Sequence, residues 1–413
     1  MDRSGYAAPM TKVTIQRLGH HGDGIAEGPV YVPLSLPGEE VEGVLDGDKL
    51  REGRIVTPSD ARVRPPCSHF KSCGGCALQH ASDDFVAAWK VGVVQTALDA
   101  QGLTAPMRPI LTSPPKSRRR AVLSARRTKK GALVGFHARA SDTIIPIPSC
   151  TLLHPDLMAA IPALEQLTMA GASRKGEASF TVSLSQDGVD VAARGVKPMD
   201  KSMFLPLVEI AQTHDLARLT WEEEVVVTRR PPRQRFGMAD VVPPAGAFLQ
   251  ATAEGQQALT DAVREAVGNA AQVVDLFAGS GTFSLPLAKT AEVVAVEGDA
   301  DMMTALDQGW RRAQGLKRVK TETRDLFRRP MMPDELDAFD AICIDPPRAG
   351  AEAQFREIAR SDVPVIAAVS CNPVTFARDA KVLVGAGYTL DWVQVVDQFR
   401  WSPHIEIAAR FSK

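Results

Sequence analysis

Several things are scarce in this chain of 413 residues. No uninterrupted apolar run approaches the roughly 20 residues that a bilayer-spanning helix needs, and the N-terminus carries no apolar core of a secretory signal. A membrane or exported protein is not expected on those grounds, and the expected location is the cytosol. Net charge is nearly absent: 48 Lys and Arg against 49 Asp and Glu leave −1. The whole molecule is therefore no polycation, so any nucleic-acid partner must be met by a local basic patch. No internal repeat or low-complexity segment is visible. Cysteines number only six. In a reducing compartment, clustered cysteines point to a metal centre or catalysis before disulfides.

What is present is ordinary in bulk, with 45% hydrophobic residues and 23% charged ones. Length predicts two or three domains. From Thr11 to about Arg64 the pattern is short and β-like: Val13-Thr14-Ile15, Gly24-Ile25-Ala26, Val30-Tyr31-Val32, Val41 to Val44 and Gly53 to Val56. Gly, Pro and Asp punctuate these runs, as expected of a small barrel. Residues 1 to 9 read as a loose tail.

Cys67, Cys73 and Cys76 then stand as C-x5-C-x2-C, with glycines that permit a tight loop and backbone N–H donors to sulfur. A fourth thiolate would complete a four-ligand set, and Cys150 is the only other cysteine before the C-terminal region. Zinc and a 4Fe-4S cluster both take four thiolates; the five-residue gap departs from the common zinc-ribbon spacing and leans to iron–sulfur. Residues 83 to 100 read as an amphipathic helix. Lys116 to Lys130 hold eight Lys or Arg in fifteen residues and no acid, centred on Arg118, Arg119 and Arg120. Such a run suits a phosphate track, although a solvated face is the commoner meaning. Arg229, Arg230, Arg233 and Arg235 would extend it. Residues 151 to 228 mix α and β signals without a functional reading.

From about residue 243 strands and helices alternate, which predicts an α/β doubly wound parallel sheet. Val273 to Leu276 runs into Phe277-Ala278-Gly279-Ser280-Gly281-Thr282, and an acid, Glu297, ends the next strand. Glycine lets backbone approach a ligand, and Glu297 can accept from ribose hydroxyls. Further signals are Thr321 to Asp325, then Ala341 to Asp345-Pro346-Pro347. Asp-x-Phe-x-Gly-x-Gly is the loop of S-adenosylmethionine-dependent methyltransferases. Val363 to Val369 reads as a buried strand, followed by Ser370-Cys371-Asn372-Pro373 and a helix. A thiol there lies at the carboxyl end of a strand, and the helix dipole is expected to favour its thiolate.

These motifs together resemble the RNA uracil-5-methyltransferases, and most closely their iron–sulfur-containing 23S ribosomal RNA branch. The resemblance covers nearly the whole length. It rests on C-x5-C-x2-C with Cys150, Ser117-Arg118-Arg119-Arg120, Phe248-Leu249-Gln250, the Asp275 to Gly281 loop, Asp345-Pro-Pro-Arg348-Ala-Gly350, Ser370-Cys371-Asn372-Pro373 and His404-Ile405-Glu406.

It implies a TRAM-like RNA-binding barrel at 10–64, a central domain with the Cys cluster at 65–242 and a Rossmann-like methyltransferase domain at 243–413. It implies S-adenosylmethionine and a 4Fe-4S cluster as cofactors, the latter on Cys67, Cys73, Cys76 and Cys150. Cys371 would be the nucleophile and Glu406 the general base, partly buried to raise its pKa. Gln250, Phe277, Gly279, Gly281, Thr282, Glu297, Asp325 and Asp345 would hold the cofactor, with Thr282 standing where the family commonly has Asn. Arg118, Arg119, Arg120 and Arg348 would meet RNA. The expected reaction is methylation of uridine carbon 5 in 23S rRNA by a monomer, with no protein partner and no membrane. Transfer-RNA methylation and a non-catalytic RNA-binding factor are the alternatives. The run from Asp397 to His404 is atypical of the family, and Cys343 reads as core.

Overall fold

The structure, a computed structural model, describes residues 10–413. The loose tail expected over residues 1 to 9 lies outside the described residues. No helix among the described residues is long and apolar enough to cross a membrane.

Five strands close an N-terminal barrel in the order Met10–Leu18, Gly24–Ala26, Val30–Val32, Lys49–Thr57 and Glu40–Asp46. Each of the five expected runs falls on one of these strands. Alternation drives Ile15, Val32, Val41 and Leu50 inward to a small core.

A seven-stranded sheet occupies much of the middle of the chain. Its order is Glu224–Thr228, Arg218–Trp221, Gly188–Arg194, Ala178–Ser185, Arg120–Arg127, Ala132–His137 and Ile144–Pro146. Residues 151 to 228, whose α and β signals are mixed in sequence, supply four of these strands and the helices Ile161–Gly171 and Lys201–Thr213, which join its core.

An eight-stranded sheet carries the C-terminal half. Its order is Val319–Thr323, Glu292–Glu297, Gln272–Leu276, Ala341–Ile344, Val365–Ser370, Glu406–Ser412, Thr389–Asp397 and Leu111–Thr112. The first five are mutually parallel. Ala341–Ile344 is buried throughout, as a strand covered on both faces must be. Ile366 and Val369 are at most 1% exposed, and burial of such side chains contributes about 1.5–3 kcal/mol each.

Glu406–Ser412 breaks the pattern by running antiparallel to both neighbours. That reversal puts its first residue at the same sheet edge where Val365–Ser370 and Ala341–Ile344 end.

One segment crosses the expected boundary near residue 243. The helix Asp83–Asp99 sends Val94 and Leu98 into the core of the C-terminal sheet, and Leu111–Thr112 pairs with its edge. Its N-cap is Ser82, whose hydroxyl accepts from the Phe85 N–H.

Candidate active site

Ser370 ends its strand opposite Ile407, so Cys371 emerges beside Glu406. The chain then turns into the helix Pro373–Gly385, capped by the Asn372 side chain accepting from the Val374 N–H at 3.1 Å, with Pro373 in its first turn. Asn372 Nδ2 also donates to the Arg348 carbonyl at 3.0 Å. The Asp345-Pro-Pro-Arg348 loop is thereby tied to the Ser370-Cys371-Asn372-Pro373 turn. Arg348 is exposed, and its guanidinium makes no hydrogen bond or ion pair among the described residues.

Three acidic groups meet at this edge. Glu406 is 3% exposed, and burial lifts its carboxyl to about 7, opposed by a hydrogen bond from Gln398. Burial raises Asp345 well above the usual range, and the neighbouring Glu406 and Asp275 carboxylates add to it. Cys371 is pushed up to about 11 by burial and then by Glu406 and Asp345, with Arg348 only partly offsetting them. Burial first, and then the carboxyls of Glu406 and Asp345, oppose the thiolate that the helix dipole was expected to favour. Removing the thiol proton requires a positive charge or a base brought to the site.

Cys371, Arg348 and His404 face a cleft of about 800 Å³. The barrel contributes Arg17, His20 and His21 to it, and the helix Asp83–Asp99 contributes Trp89 and Val93. His404 is held below its usual pKa by burial and then by Arg348, Arg118, Lys90 and His21. His20 is lowered by burial, His21 and Arg348. The cleft therefore holds Arg17 and Arg348 beside the His20 and His404 imidazoles, whose charged forms are disfavoured.

Two strands from Val365–Ser370, across Ala341–Ile344, the strand Gln272–Leu276 ends in the glycine loop. Phe277 holds φ 61°, a conformation that costs a non-glycine residue of order 1–3 kcal/mol. Its ring packs at 5.4 Å from Phe327, an exposed aromatic. Gly281 holds φ 97°, and a Cβ there would lie 2.8 Å from Leu306. Beside Gly279, by contrast, the space is open. The Glu297 carboxylate accepts from the N–H groups of Gly279, Gly298 and Asp299 at 3.1, 2.7 and 3.1 Å, so it also shapes the loop. Thr282 is half-buried at the end of that loop. Asp325 caps the turn holding Phe327, accepting from its N–H at 3.0 Å. Asp275, lifted to about 6 by burial, accepts from Ser284 Oγ at 2.5 Å. Gln250 is 3% exposed and bonded to Gln398. Cys343 is wholly buried in mid-strand, as expected of core.

The arginine run is used differently from the expectation. Arg119 donates to the Gln250 carbonyl at 3.1 Å and to Gln256 Oε1 at 2.6 Å; Arg120 donates to the carbonyls of Ala247 and Gly246 at 3.0 and 3.2 Å. Burial lowers the pKa of both, Arg119 to about 10. They bind the seven-stranded sheet to the segment leading into the glycine loop, a structural use that the expected RNA-contact role did not include. Arg118 is half-buried, 5.7 Å from the Phe399 ring. The supposed extension is largely ion-paired: Arg229 and Arg230 share Asp215, Arg233 pairs with Asp187 and Arg235 with Asp240.

Cys67, Cys73, Cys76 and Cys150 line one small hollow with Phe70, Phe136 and Leu152. Among the described residues, no three His, Cys, Asp or Glu side chains form a single-ion site. The donor set nevertheless suits a thiolate-bound centre. Gly75 N–H reaches Cys73 Sγ at 3.4 Å and Leu152 N–H reaches Cys150 Sγ at 3.5 Å. Burial pushes Cys76 up to about 12 and raises Cys73 and Cys150, each also opposed by neighbouring sulfurs, so cationic metal would relieve them. Gly74 is required by close approach: its Cβ would lie 2.7 Å from the His137 carbonyl.

Sequence reasoning missed four residues here. Gln398 is 1% exposed and touches Glu406; nothing in its local spacing marks it. Lys90, fully buried, donates to Asp397 Oδ1 at 2.6 Å and to the His404 carbonyl at 2.9 Å. Only its place on the apolar face of a helix could have signalled it. The His20-His21 doublet before a Gly-Asp-Gly turn was a visible signal that went unread.

Three comparisons bear on this geometry. Residues 312–413 match the family described as tRNA (Uracil-5-)-methyltransferase. A Brucella suis protein named an uncharacterized RNA methyltransferase is 42% identical over 405 residues, covering 97% of this chain and 98% of its own. The 23S rRNA (uracil(1939)-C(5))-methyltransferase of Shewanella piezotolerans is 32% identical over 436 residues, covering 99% and 97%. Among solved structures, the Pyrococcus abyssi tRNA (uracil-54, C5)-methyltransferase in complex with S-adenosyl-L-homocysteine shares the fold, with TM-score 0.77, 24% identity and coverage of 97% and 99%.

Proposed function

We propose a reaction on one premise: this chain belongs to the RNA uracil-5-methyltransferase family and is an RNA methyltransferase. Our reading is that it methylates carbon 5 of a uridine in 23S rRNA. The observation that carries it is the meeting of Cys371, which faces a nucleotide-sized cleft, with the neighbouring carboxyls of Glu406 and Asp345. The full-length relative of Shewanella piezotolerans, by its name, supports 23S rRNA over transfer RNA.

Carbon 5 of uracil is a poor nucleophile until something adds at carbon 6. Cys371 adds there as thiolate, and the resulting enolate carries the methylation at carbon 5. Glu406 then takes the carbon 5 proton; that electron pair forms the C5–C6 double bond as the thiolate leaves. The base must leave its stack to reach Cys371, and the cleft walled by Trp89, His20 and His21 accommodates it. Arg348 meets a phosphate.

Gln250, Phe277, Gly279, Gly281, Thr282, Glu297, Asp325 and Asp345 would hold S-adenosylmethionine, which supplies an electrophilic methyl on a sulfonium cation. A cation beside Asp345 suits the raised pKa values there, because it stabilises both the carboxylate and the Cys371 thiolate. Cys67, Cys73, Cys76 and Cys150 would hold a 4Fe-4S cluster in a structural role, since this chemistry transfers no electrons.

Incubation with labelled S-adenosylmethionine and unmodified 23S or transfer RNA, followed by nucleoside analysis, tests the reading. 5-Methyluridine from 23S RNA alone is expected. The same product from transfer RNA alone would overturn the substrate assignment. No product from either, with intact RNA binding, would overturn the reaction. Iron, sulfide and zinc content decides the metal.

A further inference from the structure

Gln398 sits at the centre of a buried amide chain. Its Oε1 accepts from the Ala251 backbone N–H at 2.7 Å, which can only donate and so fixes which end is oxygen. Its Nε2 then has to donate, and it does so twice: to Gln250 Oε1 at 2.5 Å and to Glu406 Oε2 at 2.9 Å. Gln250 Oε1 is thereby occupied, so the free donor of Gln250 is its Nε2. One side chain sets both the proposed base and a proposed cofactor contact.

We propose that Gln398 is a positioning residue that couples Gln250 to Glu406, holding Glu406 ready to take the carbon 5 proton only when the Gln250 side is in register. This rests on the reading of Glu406 as the base. The neighbouring Asp397 is pinned by Lys90 and the Trp401 carbonyl accepts from the Ala77 and Leu78 N–H groups at 2.8 and 2.9 Å. The segment bearing Gln398 is thus braced from outside the chain of amides. Glu406 faces Asp345 and Cys371, with Asp275 behind Asp345 and Arg348 beside Cys371. No cation touches Glu406, so the Gln398 amide is the group that favours its carboxylate form.

Gln398→Met keeps the volume and removes the donors. Proton removal from carbon 5 and thiolate departure should slow, so a denaturation-resistant enzyme–RNA adduct carrying the labelled methyl accumulates. The acid limb of the pH–rate profile should move up by about one pH unit, because a hydrogen bond to the charged form is lost. KM for S-adenosylmethionine should rise several-fold. Gln398→Glu sets a second carboxyl against Glu406 and should move the limb further in the same direction; it is read in the same way if the Met variant fails to fold. An unmoved acid limb with no adduct, whatever the fall in kcat, would overturn the coupling. Glu406→Gln, run in parallel, separates the two ideas. If it releases methylated RNA at the normal rate, the base assignment falls and this proposal with it; if it traps the adduct while the Gln398 variants do not, only the coupling falls.

Discussion

Two sets of thiols in this chain are raised by burial, but what else faces them differs. Around Cys73, Cys76 and Cys150 the opposing charges are other sulfurs, in an apolar hollow with Phe70 and Phe136. Around Cys371, which faces an open cleft, they are the carboxylates of Glu406 and Asp345. The proposed thiolate-bound centre would relieve the mutual repulsion among the four thiols permanently. The proposed sulfonium cofactor would relieve the repulsion between one thiol and two acids only while it is bound. The same elementary penalty would then serve architecture in one place and turnover in the other.

Removing the transient side should have the largest effect. Cys371→Ala should abolish methyl transfer, by more than about 10⁴-fold, while leaving RNA affinity and melting temperature near wild type. Filter-binding and labelled-methyl assays on one preparation check it. Glu406→Gln should cost roughly 10²–10⁴-fold in turnover, with the first methylation less affected than release. Denaturing gels of the RNA complex show whether adduct builds up. On the permanent side, Cys76→Ser should lose bound iron and sulfide and lower the melting temperature. Methylation should fall only as far as folded protein is lost, and thermal scans beside metal analysis measure both.

The pH dependence sharpens the contrast further. The Glu406 carboxyl is raised from an ordinary 4.5 to about 7, so the folded state holds a proton that the unfolded chain has released. Its contribution to stability is full below pH 4.5 and is lost as pH rises through 7. Glu406→Gln should thus melt above wild type at pH 8 by roughly 1–3 °C, and the gain should vanish at pH 4.5. Scans across that window test it. The smallest effect is expected at the cleft rim: Arg348→Ala should weaken RNA binding several-fold and reduce the salt slope by about one.

Much of the catalytic sheet was legible beforehand because its signals are local. Val365 to Val369 is apolar without interruption, and the glycines at 279 and 281 mark a loop whose backbone runs at positive φ. What failed was long-range. Arg119 and Arg120 read as a phosphate track because their partners, the carbonyls of Ala247 and Gln250, lie well over a hundred residues away. The thiolate expectation at Cys371 likewise left out burial and the carboxyls of Asp345 and Glu406, which come from separate strands. Gln398 was invisible because its meaning depends on Ala251 and Gln250 together.

The reversed strand Glu406–Ser412 has a consequence for biogenesis. Its two neighbours, Val365–Ser370 and Thr389–Asp397, are both synthesised before it. Until it slots between them, each presents an unpaired edge to the gap, an arrangement prone to pairing with other chains. During that interval Cys371 exists without Glu406, so a nascent chain lacks one of the two groups proposed for the reaction. On that proposal, competence would be acquired in one late step, when the last strand closes the sheet beside Cys371.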